Sequence, residues 1–174
     1  MTDSLALPLV LDGLSLRAQQ PQDDAFLLQL LSAHRAPALL AAGMPENVLA
    51  MLLPMQCQAQ EQDMVQRYPQ AKRAILHQGT QSLGRVAWDQ NPQRLHLIDI
   101  AVLPTFQHQG WATQVLRRLQ AAAAQRAMPL TLWVAPDNPA LGWYTRWGFS
   151  VVQSTESQRL MQWRGTNLGV ANDA

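Results

Sequence analysis

Apolar and polar positions change period along this chain, and the changes mark out its elements. Leu14-Ser-Leu-Arg17 alternates and predicts a first strand with one buried face. Pro21-Gln-Asp-Asp24 then opens a helix reaching about His34, with acids in its first turn where the helix dipole favours them. From Ala36 to Tyr68 the pattern stays helical, but Gly43-Met-Pro45 punctuates it, and Pro54 should kink it or begin a new helix. Ala74–His77 and Ser82–Trp88 read as a hairpin around Gly79-Thr80, and Asn91-Pro92 turns the chain into a strand from Arg94 to Val102. In the amphipathic helix that follows, Val115, Leu116, Leu119, Ala122 and Ala123 share one face. Leu130–Val134 is a buried strand, and Phe149–Gln153 with Gln158–Trp163 make a last antiparallel pair.

The junction between Ile98 and Thr113 carries the chemistry. An apolar strand ends near Pro104, which cannot donate to a ladder, and a polar loop with Gly110 leads into a helix. The unpaired N–H groups of a helix's first turn, together with its dipole, favour phosphate, and a glycine lets the backbone approach it closely. Two phosphate loops are excluded. A Walker loop needs G-x-x-x-x-G-K-[ST], yet the one Lys is Lys72, and a dinucleotide fingerprint needs three glycines where Gly110 stands alone.

What stands there is Q-x-x-G-x-A, Gln107 to Ala112, after Ile100-Ala-Val102. A second pattern, N-x-A-x-x-x-Y-x-x-x-G-F, runs from Asn138 through Ala140 and Tyr144 to Gly148-Phe149. Together, over roughly Leu95 to Val152, they resemble the two signatures of the GNAT superfamily of acyl-CoA-dependent N-acyltransferases. The resemblance implies an α/β (α+β) fold: a mixed, mostly antiparallel, twisted sheet of about seven strands, splayed between the fourth (Leu95–Val102) and fifth (Leu130–Val134) and flanked by about four helices. It implies acetyl-CoA as co-substrate. The pyrophosphate would sit on Gln107, His108, Gln109, Gly110, Trp111 and Ala112, and the pantetheine arm along Ile100, Ala101 and Val102 and against Asn138. Tyr144 would lie near the sulfur as general acid. A phenol with an ordinary pKa of about 10 stays protonated at neutral pH and is matched closely enough to a thiol's roughly 8.5 to donate to it. Asn138 also reads as an N-cap for a helix beginning at Pro139.

Asp99 is the candidate general base. By alternation it shares a face with Leu95, Leu97 and Ala101, and an acid on an apolar face needs a reason: a water relay to the amine or a structural hydrogen bond. The fifth-strand Glu of some GNAT enzymes is replaced here by the neighbourhood of Trp133. Glu156, between the last two strands, is a second acid. Cys57 reads as a packing residue, and the histidines lack metal spacing, so no metal is expected. The run Met55 to Gln60, followed by Arg67-Tyr-Pro69, is similar to a bacterial GNAT subgroup and implies no substrate.

Composition narrows the rest. The 174 residues suit one domain, 1–165, with a loose tail at 166–174. Thirteen basic residues against twelve acidic ones give no footprint for nucleic acid. One Cys and an N-terminal run broken by Pro8 suit a cytoplasmic protein without a signal peptide, and no stretch reaches the roughly 18 apolar residues of a membrane helix. The expected activity is acetyl transfer to a primary amine, on a small molecule or a peptide, by direct attack in a ternary complex. The acceptor site is expected from Leu30 to Met64 and from the loop Ser154 to Gln158. A non-catalytic acyl-CoA-binding module and an assembly protein with structural CoA are the alternatives, and pairing of two copies is left open.

Overall fold

Each strand forms where the sequence alternates or turns wholly apolar, and a single sheet gathers all of them. A computed structural model describes residues 10–11 and 13–165. The elements run β1 (Val10–Leu11), β2 (Leu14–Ala18), α1 (Asp24–Ala41), α2 (Glu46–Arg67), β3 (Lys72–Gln78), β4 (Gln81–Asn91), β5 (Arg94–Val102), α3 (Trp111–Gln125), β6 (Leu130–Val134), α4 (Ala140–Arg146), β7 (Ser150–Ser154) and β8 (Arg159–Trp163). The two-residue β1 is an eighth strand beyond the seven expected. The sheet order is β1-β2-β3-β4-β5-β6-β8-β7, antiparallel except where β5 meets β6. The expected tail at 166–174 lies outside the described residues.

Pro54, expected to kink a helix or begin a new one, is accommodated inside a helix, and so is Pro37. Helix α1 continues past His34 through Pro37, and α2 runs through Pro54. A mid-helix proline frees one carbonyl a turn back. Both prolines are exposed, so water can take those carbonyls, while Leu27, Leu30, Leu49 and Leu53 hold the inner faces in the core. Packing outweighs the local penalty.

The two faces of the sheet have different covers. One carries Leu76, Val86, Trp88 and Leu95 against Val115, Leu116 and Leu119 of α3 in the main apolar cluster. The other lies under α1 and α2, where Glu61 meets Arg85 of β4 and Tyr68 stacks on His96 of β5.

A bulge corrects the alternation expected of β5. Trp88 pairs with Leu97 and Ala87 with Asp99, so Ile98 is an extra residue on β5. Directly opposed residues share a face. Leu97 therefore points with Trp88 into the α3 core, while Asp99 and Ala101 point with Ala87 and Arg85 toward α1 and α2. Asp99 does not share the face of Leu95 and Leu97. The bulge moves it to the face of His96, and its polar surroundings follow from that shift.

Candidate active site

The site begins where the sheet forks. β5 and β6 run parallel and pair only at Leu95–Leu130, His96–Thr131 and Leu97–Leu132, and beyond Leu97 the strands separate. The N–H of Leu103 donates to Leu83 O at 2.8 Å, which fixes the phase of the β4–β5 ladder. Ala101, paired with Arg85, turns its backbone groups to β4, whereas Ile100 and Val102 turn theirs into the fork. The unpaired edge is thus built from alternate residues, with Ala101 contributing its side chain.

Beyond that edge the chain makes a phosphate seat. Gly110 at φ 84° and His108 at φ 62° occupy the left-handed region, which glycine enters freely and histidine tolerates better than most residues. The first bond of α3 runs from Gln114 N to Gly110 O, so Trp111, Ala112 and Thr113 begin the helix with N–H groups free of intrahelical acceptors. No acid stands in that first turn. Gln107 folds back to donate from Nε2 to Val102 O at 3.1 Å, and His34 of α1 donates from Nε2 to the same carbonyl at 3.0 Å. Val102 O is therefore held by the protein, leaving Ile100 and the Val102 N–H as the open polar groups of the edge.

The second signature closes the far wall, and its glycine has a physical reason. Gly148, at φ 83°, ends α4 in a Schellman turn: Gly148 N donates to Thr145 O at 3.0 Å and Phe149 N to Tyr144 O at 3.1 Å. The apolar contact that accompanies such a turn is made by Phe149 and Tyr144, whose rings meet edge-on at 5.6 Å. The signature's Tyr, Gly and Phe are therefore one capped helix end that fixes the tyrosine. Tyr144 is 8% exposed, and its hydroxyl has no hydrogen-bond partner among the described residues. Burial, reinforced by the negative charge of Asp99, pushes the phenol well above its ordinary value. Asn138 accepts at Oδ1 from Ala140 N at 2.8 Å, so it caps α4 and keeps its amide nitrogen free.

These parts surround one cavity of about 1160 Å³. Its wall includes Asp99, Ile100, Ala101, Val102, Gln107, His108, Gly110, Trp111, Ala112, Asn138 and Tyr144, so all the expected site residues but Gln109 meet there. Gln109 turns along the loop instead and accepts from Trp111 Nε1 at 3.3 Å. Arg146 of α4 also lines the cavity and supplies a cation that sequence reading passed over.

A second cavity, about 320 Å³, lies between α1, α2 and the sheet and shares His34, Asp99, Ala101 and Asn138 with the first. Its floor holds an ion network missed from sequence. Arg85, 5% exposed, donates from Nε to Asp99 Oδ2 at 2.6 Å and from Nη1 to Glu61 Oε1. The signal was present: Arg85 is the single charge in the apolar run Leu83–Trp88, and a buried charge requires a partner. Cys57 also faces this cavity, where burial and then the charge of Glu61 push its thiol up, away from the nucleophilic thiolate. Leu30, Leu31 and Gln60, within the stretch Leu30 to Met64 expected to form the acceptor site, line this cavity, whereas no residue of the loop Ser154–Gln158 lines either cavity, and Glu156 is exposed on that hairpin. No group of three metal-ligating side chains occurs among the described residues, and no helix among them is long and apolar enough to cross a membrane.

Comparison with known proteins places this geometry. The family model described as "Acetyltransferase (GNAT) family" matches residues 53–149, more than half of the chain. None of the curated proteins compared matches the sequence. Among solved structures, the chain is similar to a PaiA N-acetyltransferase from Thermoplasma acidophilum in complex with coenzyme A, with TM-score 0.64 and 13% identity over 87% of this chain and 98% of that one. An acetyltransferase from Thermus thermophilus gives TM-score 0.63 and 20% identity, covering 87% and 96%. A GNAT family acetyltransferase from Elizabethkingia anophelis with acetyl-CoA bound gives 0.54 and 14%, covering 88% and 99%. At such identities these likenesses speak for the fold, and with the family match they lead to one conclusion: the chain belongs to the GNAT family of acetyltransferases.

Proposed function

We propose that the protein transfers an acetyl group from acetyl-CoA to a primary amine by direct attack in a ternary complex. One observation carries the reading: the unpaired edge of β5, the free first turn of α3 and the Tyr144 phenol line a single cavity. In this reading the N–H groups of Trp111, Ala112 and Thr113 hold the pyrophosphate, while Ile100, Val102 N–H and the Asn138 amide direct the pantetheine arm. A free N–H at the fork polarises the acetyl carbonyl as an oxyanion donor.

Asp99, through a water, relays one proton from the acceptor ammonium. The amine nitrogen then forms the new C–N bond and the C–S bond breaks. Tyr144 protonates the departing thiolate, and the second proton lost from nitrogen restores the phenol. Amide, free thiol and one released proton balance the reaction. The raised Cys57 thiol favours direct attack over an acyl-cysteine route. A cytoplasmic setting accords with one free cysteine.

The ion pair on Asp99 also gives a module that binds acyl-CoA without turnover its footing as a second reading. Thermal shift with CoA, acetyl-CoA and NADPH tests the donor: the two CoA species raise Tm and NADPH does not, and absence of a rise with either CoA species overturns the proposal. Acetyl-CoA consumption across an amine panel then separates enzyme from module.

A further inference from the structure

The floor of the smaller cavity has an unequal charge count. Both Glu61 carboxylate oxygens are used by the protein, one by Arg85 Nη1 and the other by Gln19 Nε2 at 3.0 Å. Asp99 spends Oδ2 on Arg85 Nε, and its Oδ1 has no partner among the described residues. One guanidinium thus faces two carboxylates and can balance only one of their two negative charges.

The other groups around the cavity leave this imbalance standing. Cys57 of α2 is a thiol and Tyr144 of α4 a phenol, both pushed further toward their neutral forms. His34 of α1 spends Nε2 on Val102 O, and Arg35 of α1 is exposed at the rim and bound to Gln56 Oε1 at 2.9 Å, where water screens it. Asp24 of α1 lies outside this lining and is exposed, so water screens it in the same way. His108, Asp137 and Arg146 lie along the larger cavity and outside this one. A molecule enclosed here meets one surplus negative charge in a partly desolvated space, where charge counts for more than in water.

Building on the acetyl-transfer reading, we propose that Glu61 is a positioning residue that sets the charge of the acceptor. By sharing Arg85 it keeps the guanidinium from fully matching Asp99, whose free Oδ1 presents the surplus negative charge at the junction of the two cavities. The acceptor is then a small aliphatic amine that carries a second positive charge. Size and shape agree: about 320 Å³ is at the low end of ligand cavities, and Leu27, Leu30 and Leu31 supply a wall for an aliphatic chain.

The test compares 1,4-diaminobutane, butylamine and 4-aminobutanoate, one chain length with a cationic, a neutral or an anionic tail. Calorimetric titration into the CoA-saturated protein reads binding without requiring turnover, and kcat/KM with acetyl-CoA reads transfer. The diamine binds best and the amino acid worst, separated by about tenfold or more. Glu61→Gln cancels the surplus charge and collapses that spread, with CoA affinity and Tm retained, and Glu61→Asp restores it. Asp99→Asn removes the same charge while leaving the Glu61–Arg85 pair in place, and collapses the spread even should Glu61→Gln fold poorly. Equal binding of the three, preference for the amino acid, absence of binding by all of them, or a spread that survives both neutralising variants overturns the proposal. Failure of CoA itself to bind instead overturns the acetyl-transfer reading.

Discussion

Tyr144 has the clearest consequences at the scale of one side chain. Tyr144→Phe keeps the ring contact with Phe149 and removes the proton donor, so turnover falls by the ~10²-fold or more typical of a lost general acid, while acetyl-CoA affinity is retained. Single-turnover kinetics with titrated acetyl-CoA separates the two effects, and unchanged turnover removes Tyr144 from catalysis. Because burial raises the phenol, Tyr144 stays protonated above its ordinary pKa of about 10. The alkaline side of the rate profile therefore shows no loss from Tyr144 up to about that pH, and a limb near pH 9 that vanishes in Tyr144→Phe contradicts this. Tyr144 and Asn138 were readable in the sequence because their spacing is local, within one capped helix. Glu61 and Arg85 were not, since their pairing depends on how α2 lies across β4, which no periodicity encodes. Only the need for some partner to Arg85 could be read in advance.

Strand positions came through well at the scale of elements, because β5 and β6 are fully marked by their apolar runs and turn residues. The bulge at Ile98 did not, since one extra residue in a ladder leaves the hydrophobic pattern nearly intact while reversing every face beyond it. Just before the bulge, His96 latches β5 to β6. Its Nδ1 donates to Thr131 Oγ1 at 2.8 Å, and Nε2 accepts from Tyr68 OH at 3.3 Å. Burial, with Arg94 adding to it, lowers His96 from 6.5 to about 4. A depressed folded-state value means the stabilisation is fully present above the unfolded pKa and lost as pH falls through the folded one. Stability therefore declines between about pH 6.5 and 4, by on the order of 3 kcal/mol at the low end. Urea titrations across that range read the slope, and His96→Gln flattens it; an equal slope in the variant rejects the assignment. Gly84 governs the same strand from the other side. A Cβ there would lie 2.2 Å from Ala101 O and 2.9 Å from Val102 Cα, both backbone. Gly84→Ala must push β4 and β5 apart, costing about 2–4 kcal/mol and weakening CoA binding in step. Unchanged Tm and CoA affinity contradict that.

For the molecule as a whole, the sheet is two parts joined by three residue pairs and bridged by the packing of α3. One part, β1 to β5, carries the unpaired edge, and the other, β6 with β8 and β7, carries Asn138 and Tyr144 on the segment after β6. A ligand in the fork supplies the pairing that the strands cannot give each other, so its signature belongs to alternate backbone amides of β5. The amides of Ile100 and Val102 face the fork, whereas those of Ala101 and Leu103 face β4. Without ligand, hydrogen exchange is fast at 100 and 102 and slow at 101 and 103. Saturating CoA slows the first pair by one to two orders of magnitude relative to the second, beyond the uniform gain that any stabilising ligand confers through mass action, roughly 2.7 kcal/mol at a hundredfold excess over Kd. Residue-resolved exchange by NMR reads all four amides in one experiment. Uniform slowing across 100–103 means that CoA stabilises the fold without pairing to this edge, and the pantetheine arm must then lie elsewhere in the cavity.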